Sequence, residues 1–140
     1  MLEQPSPVMT TPTDEALMEQ AKAVREKAHA PYSRYYVGAA ILDEAGEIHL
    51  GCNVENAAYP QGNCAEASAI AAMVTAGGGR IVKIAVAGGH EALEECTPCG
   101  GCRQRILEFA DESTRIITLN AGGDLVFHTM AELLPASTAP

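Results

Sequence analysis

PQGNCAEASAIAAM, residues 60–73, decides how the chain folds around its chemistry. A Pro-Gln-Gly-Asn loop gives way to an alanine-rich apolar stretch, which reads as the start of a helix. Cys64 and Glu66 stand at its mouth. Asn63 and Glu66 have the three-residue spacing of a capping box, a common way to begin a helix. A thiol and a carboxylate at a helix N-terminus also suit a metal site with its own acid/base group. Taken alone, the fragment reads as a cap, and the rest of the chain must decide.

Working outward, this helix is expected over about residues 63–76 and stops at Gly77-Gly78-Gly79. That glycine run is a helix stop and not a phosphate loop, because no Lys-Ser/Thr follows it. Upstream, YYVGAAILDEAGEIHLGCNVE reads as a hairpin with strands near 36–43 and 47–53. Before it, TDEALMEQAKAVREKAHA has a capping Thr13, acids in its first turn and apolar residues at helical spacing. A helix is expected from about 14 to 29, ended by Pro31. Downstream, RIVKIAVAGG reads as a buried strand, HEALEECTPCGG as a loop and GCRQRILEFA as a third helix. TRIITLN and DLVFHT are two further strands, and Thr129 with Glu132 makes a capping box for a short last helix ending near Pro135. The order implies an α/β domain over 14–140 with a single mixed sheet and helices on its faces. Residues 1–13, rich in Pro, Ser and Thr, read as a loose tail.

Composition narrows the partners. The formal net charge is -9 with only nine Lys and Arg, so a nucleic-acid polymer or an anionic membrane meets repulsion. A small neutral or cationic ligand fits better. No apolar run reaches the roughly 18 residues that a membrane span needs. The first residues lack the basic start and apolar run of an export signal, so a cytoplasmic location is expected. Aromatic residues make up 4% and Trp is absent, so small aliphatic side chains must fill the core. The five cysteines are odd in number, which argues against a disulfide framework. Cys52 reads as apolar filler. His29, His49, His90 and His128 stand apart from the cysteine motifs and read as surface or packing residues.

Cys64 opens the second helix, and PCGGC places Cys99 and Cys102 at the opening of the third. Three thiolates from two helix starts can hold Zn²⁺ with one position left for water, the arrangement of a catalytic site. The positive helix ends offset part of the thiolate charge. Glu66, two residues from Cys64, can reach the same cavity as a proton-handling group. Alternatives remain open from the residues themselves. CTPCGGC partly resembles an iron–sulfur run, the Cys-x-x-Cys can be a redox pair, and Cys96 can close a structural four-cysteine zinc site.

The combination of Cys-x-Glu with Pro-Cys-x-x-Cys is the zinc deaminase signature. Together with YSRYYVGAAI, GCNVENAAYP, NCAEASA, PCGGCRQ and AELLP, in order over about residues 14–135, it resembles the small cytidine deaminase family. The resemblance implies a three-layer α-β-α fold with one five-stranded mixed sheet, a homotetramer, and zinc-dependent deamination of cytidine and 2′-deoxycytidine in pyrimidine salvage. It implies Cys64, Cys99 and Cys102 as zinc ligands and Glu66 as the proton shuttle. It further implies Asn53 and Glu55 on the ribose 3′-hydroxyl, the Ala65 N–H on the base carbonyl, the Thr97 carbonyl on the leaving amino group, Tyr35 beside the base, and Tyr59 reaching a neighbouring subunit's site. Two departures stand out. Many three-cysteine members have an Arg after the catalytic Glu, where this chain has Ala67, and Arg103 is the candidate to compensate. A C-terminal Phe of the family is replaced by Thr138. Blasticidin S is the competing substrate within the same chemistry, and the NVEN stretch favours a ribose-bearing one.

Overall fold

A computed structural model describes residues 11–137. Residues 1–10 of the tail expected over 1–13, and Thr138, lie outside the described residues. Strands β1 (Tyr36–Asp43), β2 (Ile48–Cys52), β3 (Ile81–Gly89), β4 (Arg115–Leu119) and β5 (Leu125–His128) form one sheet in the order β2-β1-β3-β4-β5. Only β3 and β4 run parallel, and the other neighbours are antiparallel. The crossover between β3 and β4 carries a helix, as parallel neighbours require. Among the described residues, no helix is long and apolar enough to cross a membrane.

The strand period of two sorts side chains onto two faces. Along β1, Ala39 and Ile41 enter one cluster, while Ala40 and Leu42 enter the other. Helix α1 (Asp14–Arg25) lays Leu17, Met18 and Ala21 on the second face, against Ala85 and Ala87 of β3. The first face is covered by α2 (Ala65–Thr75), α3 (Gly100–Glu108) and the short α4 (Met130–Leu133), through Ala69, Ile70, Met73, Ile106 and Leu133. The result is the expected α-β-α arrangement around one five-stranded mixed sheet. Alanine at many facing positions lets helix and sheet approach closely, which is how a core poor in aromatics fills its space. At Gly51 a Cβ would stand 2.3 Å from Ala69 N and 2.5 Å from Ala65 O, so α2 rests directly on the β2 backbone.

Two element boundaries differ from the sequence reading. Helix α1 stops at Arg25, not near residue 29. The His29 N–H instead donates to Asn53 O at 3.0 Å, and the Glu55 N–H donates to His29 O at 2.7 Å, which ties the chain to the segment after β2. Helix α2 starts one residue later than the capping-box reading requires. Its N-cap is Cys64, with no side-chain cap, and the Asn63 amide donates to Ser68 Oγ at 3.1 Å. The box at Thr129 and Glu132 does form.

Candidate active site

The antiparallel pairing of β1 with β3 puts the start of β1 beside the end of β3, Tyr36 opposite Gly89. Cys52, the last residue of β2, pairs with Gly38 near that same end. The N-termini of α2 and α3 open there too. Cys64 (φ -76°, ψ 156°) and Cys99 (φ -67°, ψ 168°) are extended N-cap residues whose side chains accept no cap hydrogen bond. Their carbonyls begin the helices, accepting from Ser68 N at 3.0 Å and Arg103 N at 2.9 Å. The thiols are therefore free to point at each other. Cys102, on the first turn of α3, adds a third, and the three Sγ atoms lie within 4.8 Å of one another. Cys102 is fully buried, Cys64 is half-buried and Cys99 is exposed.

Three soft sulfurs converging from two helix starts fit Zn²⁺, which takes thiolate ligands in a tetrahedral set and needs no redox partner. Cys96 is not a member of this group. Its sulfur instead lies over Gly88, where a Cβ would stand 2.6 Å away. A closed four-sulfur site is therefore not the arrangement found, and Cys52 is half-buried outside the group.

Charge in the cluster is strongly interdependent. Thiol hydrogen bonds from Cys102 and Cys99 favour the Cys64 thiolate and bring it down to about 6 against the cost of burial. The hydrogen bond to Cys64, together with burial, pushes Cys102 up, because its ionisation sets a second negative charge beside the first. Glu66 is 4% exposed. Burial first, and then the neighbouring Cys64 charge, push its carboxyl up to about 7, although its own backbone N–H opposes the shift. A carboxyl balanced near neutrality can both accept and return a proton.

A cleft with two lobes opens over these groups. The inner lobe, about 250 Å³, is lined by Glu66, Ala65, Tyr35, Thr97, Asn53 and Glu55 among others. The outer lobe, about 440 Å³, shares Ser33, Asn53, Glu55 and Cys64 with it and extends to Tyr59 and Tyr32. All the sequence-derived residues except the buried Cys102 line this cleft, with Tyr59 on the outer lobe only and 81% exposed.

Several of these side chains are already braced. Asn53 Oδ1 accepts from Val37 N at 2.8 Å and its Nδ2 donates to Tyr35 O at 2.8 Å, fixing the start of β1. Glu55 Oε1 accepts from the N–H groups of Tyr32 at 2.9 Å and Ser33 at 3.1 Å, and the Ser33 hydroxyl donates to Oε2. Its carboxyl is held below the usual range by the Ser33 hydroxyl and N–H, and it stays an acceptor at neutral pH. Burial and its neighbours push the Tyr35 hydroxyl up, so it stays protonated. The Tyr35 ring meets His90 edge-on at 5.0 Å.

Sequence reasoning missed Ser33, although it lies in the YSRYYVGAAI stretch, and Arg105, whose Nη1 lies 3.7 Å from Cys102 Sγ. The signal for Arg105 was present, since it follows Cys102 by three residues on a helix, the spacing of neighbours on one face. Arg103 turns elsewhere, onto Pro98 O at 2.7 Å and Leu133 O at 2.9 Å. The histidines stay out of the sulfur group: His49 meets Asp43 at 2.7 Å, His90 meets Glu94 at 2.8 Å and His128 meets Thr118 at 3.1 Å.

Comparison with known proteins agrees with this geometry. Residues 11–118 match the family described as the cytidine and deoxycytidylate deaminase zinc-binding region. The chain is 42% identical over 123 residues to a cytidine deaminase of Sporosarcina psychrophila, covering 88% of this chain and 89% of the relative. It resembles the crystal structure of cytidine deaminase from Burkholderia pseudomallei with a TM-score of 0.81 at 41% identity, covering 90% of this chain and 99% of the other. The cytidine deaminase structure from Mycobacterium tuberculosis gives a TM-score of 0.79 at 34% identity, covering 91% and 99%.

Proposed function

The chain belongs to the cytidine and deoxycytidylate deaminase family, and from that premise we propose that it hydrolyses cytidine and 2′-deoxycytidine to the corresponding uridines and ammonia. The observation that carries this reading is a buried carboxyl, Glu66, on the cleft lined by Cys64 and Cys99, two of the three converging sulfurs.

Cys64, Cys99 and Cys102 would hold Zn²⁺, which supplies Lewis-acid activation of the attacking water. Glu66 takes the proton that this water gives up and delivers it to ring N3. Oxygen bonds to C4, Glu66 takes the remaining proton of that new hydroxyl and passes it to the 4-amino group, and the C4–N bond breaks to release ammonia and leave the C4 carbonyl. The Ala65 N–H, free at the first turn of α2, donates to the base carbonyl at O2. The Thr97 carbonyl accepts from the amino group and aims it out of the cleft. Tyr35 flanks the base with the face of a neutral phenol. Asn53 and Glu55 meet the ribose hydroxyl, and the bonds bracing them on the protein side fix their direction beforehand. A cleft lined by Glu55 and Glu66, with no Lys or Arg among its lining residues, suits a nucleoside better than a phosphorylated or polymeric substrate.

A homotetramer is part of the same reading. The 81% exposure of Tyr59 at the outer lobe supports it, because a large apolar ring there is suited to a neighbouring subunit. A cytoplasmic role in pyrimidine salvage is part of the same proposal, supported by an odd number of cysteines used as metal ligands and not as a disulfide framework. The test is direct. Purified zinc-loaded protein is incubated with cytidine, deoxycytidine, cytosine, cytidine monophosphate and blasticidin S, and the ultraviolet change of deamination is followed. Turnover of the first two alone is expected. Turnover of blasticidin S alone, or of none, contradicts the reading.

A further inference from the structure

We infer that Arg105 is the counter-charge of the sulfur cluster, its guanidinium donating to Cys102 Sγ from one side and tightening the cluster's hold on Zn²⁺. This rests on the zinc reading above. Three thiolates around a dication leave one negative charge in excess, and Glu66 adds another carboxyl beside them. The chain as a whole carries -9, so long-range attraction does not offset that excess. A local cation or a pair of helix ends must do so.

The candidates can be compared by where their charge is directed. Arg103 follows Cys102 directly and was the sequence-based choice, yet its three nitrogens face Pro98 O, Leu133 O and the Thr97 hydroxyl. It shapes the loop and leaves the sulfurs to others. Arg25 is buried and committed to the carbonyls of Tyr36, Gly89 and His90. Ala67, next to Glu66 on α2, brings no charge. Arg105 lies one turn beyond Cys102 on α3 and puts Nη1 3.7 Å from its sulfur. Thiolate sulfur accepts such a bond over a longer distance than oxygen does. The exposed position of Arg105 on α3 leaves the interaction partly screened by water and salt.

Zinc affinity of the full chain, read by competition with a chromophoric chelator, tests this without recourse to turnover. Arg105→Gln keeps donor N–H groups and removes the charge, and it is expected to weaken zinc binding about tenfold, the lower end for groups behind metal ligands. Arg105→Lys restores the charge and is expected to stay within about threefold of the parent, short of it because the planar fork is lost. The gap between parent and Arg105→Gln should narrow as salt is raised. Lys22→Gln removes one positive charge on α1, where Lys22 pairs with Glu19, and should leave the affinity unchanged. Equal affinity of Arg105→Gln and the parent overturns the inference. So does a Lys variant as weak as the Gln variant, which marks shape and not charge as the cause, or a loss of the same size in Lys22→Gln. A parent protein that takes up no zinc defeats the zinc reading itself and the inference with it.

Discussion

Helices α1 and α4 begin differently from α2 and α3. Thr13 caps α1 by accepting from Ala16 N at 3.0 Å, and Thr129 caps α4 within a full capping box. At the same position α2 and α3 carry Cys64 and Cys99, and neither side chain caps its helix. A Ser, Thr or Asp cap contributes about 1 kcal/mol over an apolar residue. That contribution is absent at the two helix starts facing the cleft, and present at the two that do not. The first-turn N–H groups and positive ends that a cap would satisfy are turned instead toward a cluster able to carry negative charge. Stability and chemistry are thus divided between helices of one small fold, a division found often at functional sites.

The sharpest way to break the contrast is at α2. Glu66→Gln keeps size and burial but can neither take nor return a proton. It should retain one zinc per chain while kcat falls about a thousandfold, within the range for a lost acid/base group. Zinc content and turnover measured on one sample check both halves.

A second pair of variants compares the helices by their seating. A Cβ at Gly51 would strike the α2 backbone at 2.3 Å, and one at Gly38 would strike Ala21 O of α1 at 2.1 Å. Gly51→Ala and Gly38→Ala should each cost about 1–3 kcal/mol by overpacking. Only Gly51→Ala should also weaken zinc binding, because α2 carries a ligand at its start and α1 carries none. Denaturant melts alongside chelator competition separate the two effects.

Exchanging the caps is gentler. Cys99→Ser places a good capping residue on α3, so the zinc-free protein should gain up to about 1 kcal/mol while zinc binding is lost. Thr13→Ala should lose about 1 kcal/mol with zinc and activity intact. Equilibrium unfolding of the zinc-free proteins measures both.

The smallest effect lies far from the cleft, at the turn between β1 and β2. Burial alone would raise the Asp43 carboxyl, but His49 and the N–H groups of Glu47 and Ala45 outweigh it and hold the carboxyl below the usual range. Because the folded value is the lower one, the stabilisation is present above the unfolded pKa near 3.9 and is lost as pH falls through the folded value. Stability followed down the acid limb should show a shallower loss in Asp43→Asn, with zinc binding unchanged at neutral pH.

Much of this architecture was legible in the residues. The hairpin reading of residues 36–53, the glycines after α2, and Thr129 with Glu132 placed elements that the structure contains. The Cys64, Cys99 and Cys102 grouping was one of several that the cysteines allowed, and the resemblance to the deaminase family singled it out. Other features depended on contacts between distant segments. Helix α1 ends early because Asn53 O offers the His29 N–H a partner from another part of the chain. Asn63 and Glu66 matched a capping pattern that the extended backbone of Cys64 overrides by one residue. Arg103 was favoured over Arg105 by adjacency in sequence, whereas the turn of α3 brings the later residue to the sulfur.

The central claim is that three sulfurs at two uncapped helix starts hold a dication and leave it one open position. X-ray absorption at the zinc edge of the purified, zinc-loaded protein counts the ligands directly. The account predicts three sulfurs at about 2.3 Å and one oxygen or nitrogen neighbour. Four sulfurs, or fewer than three, contradicts it.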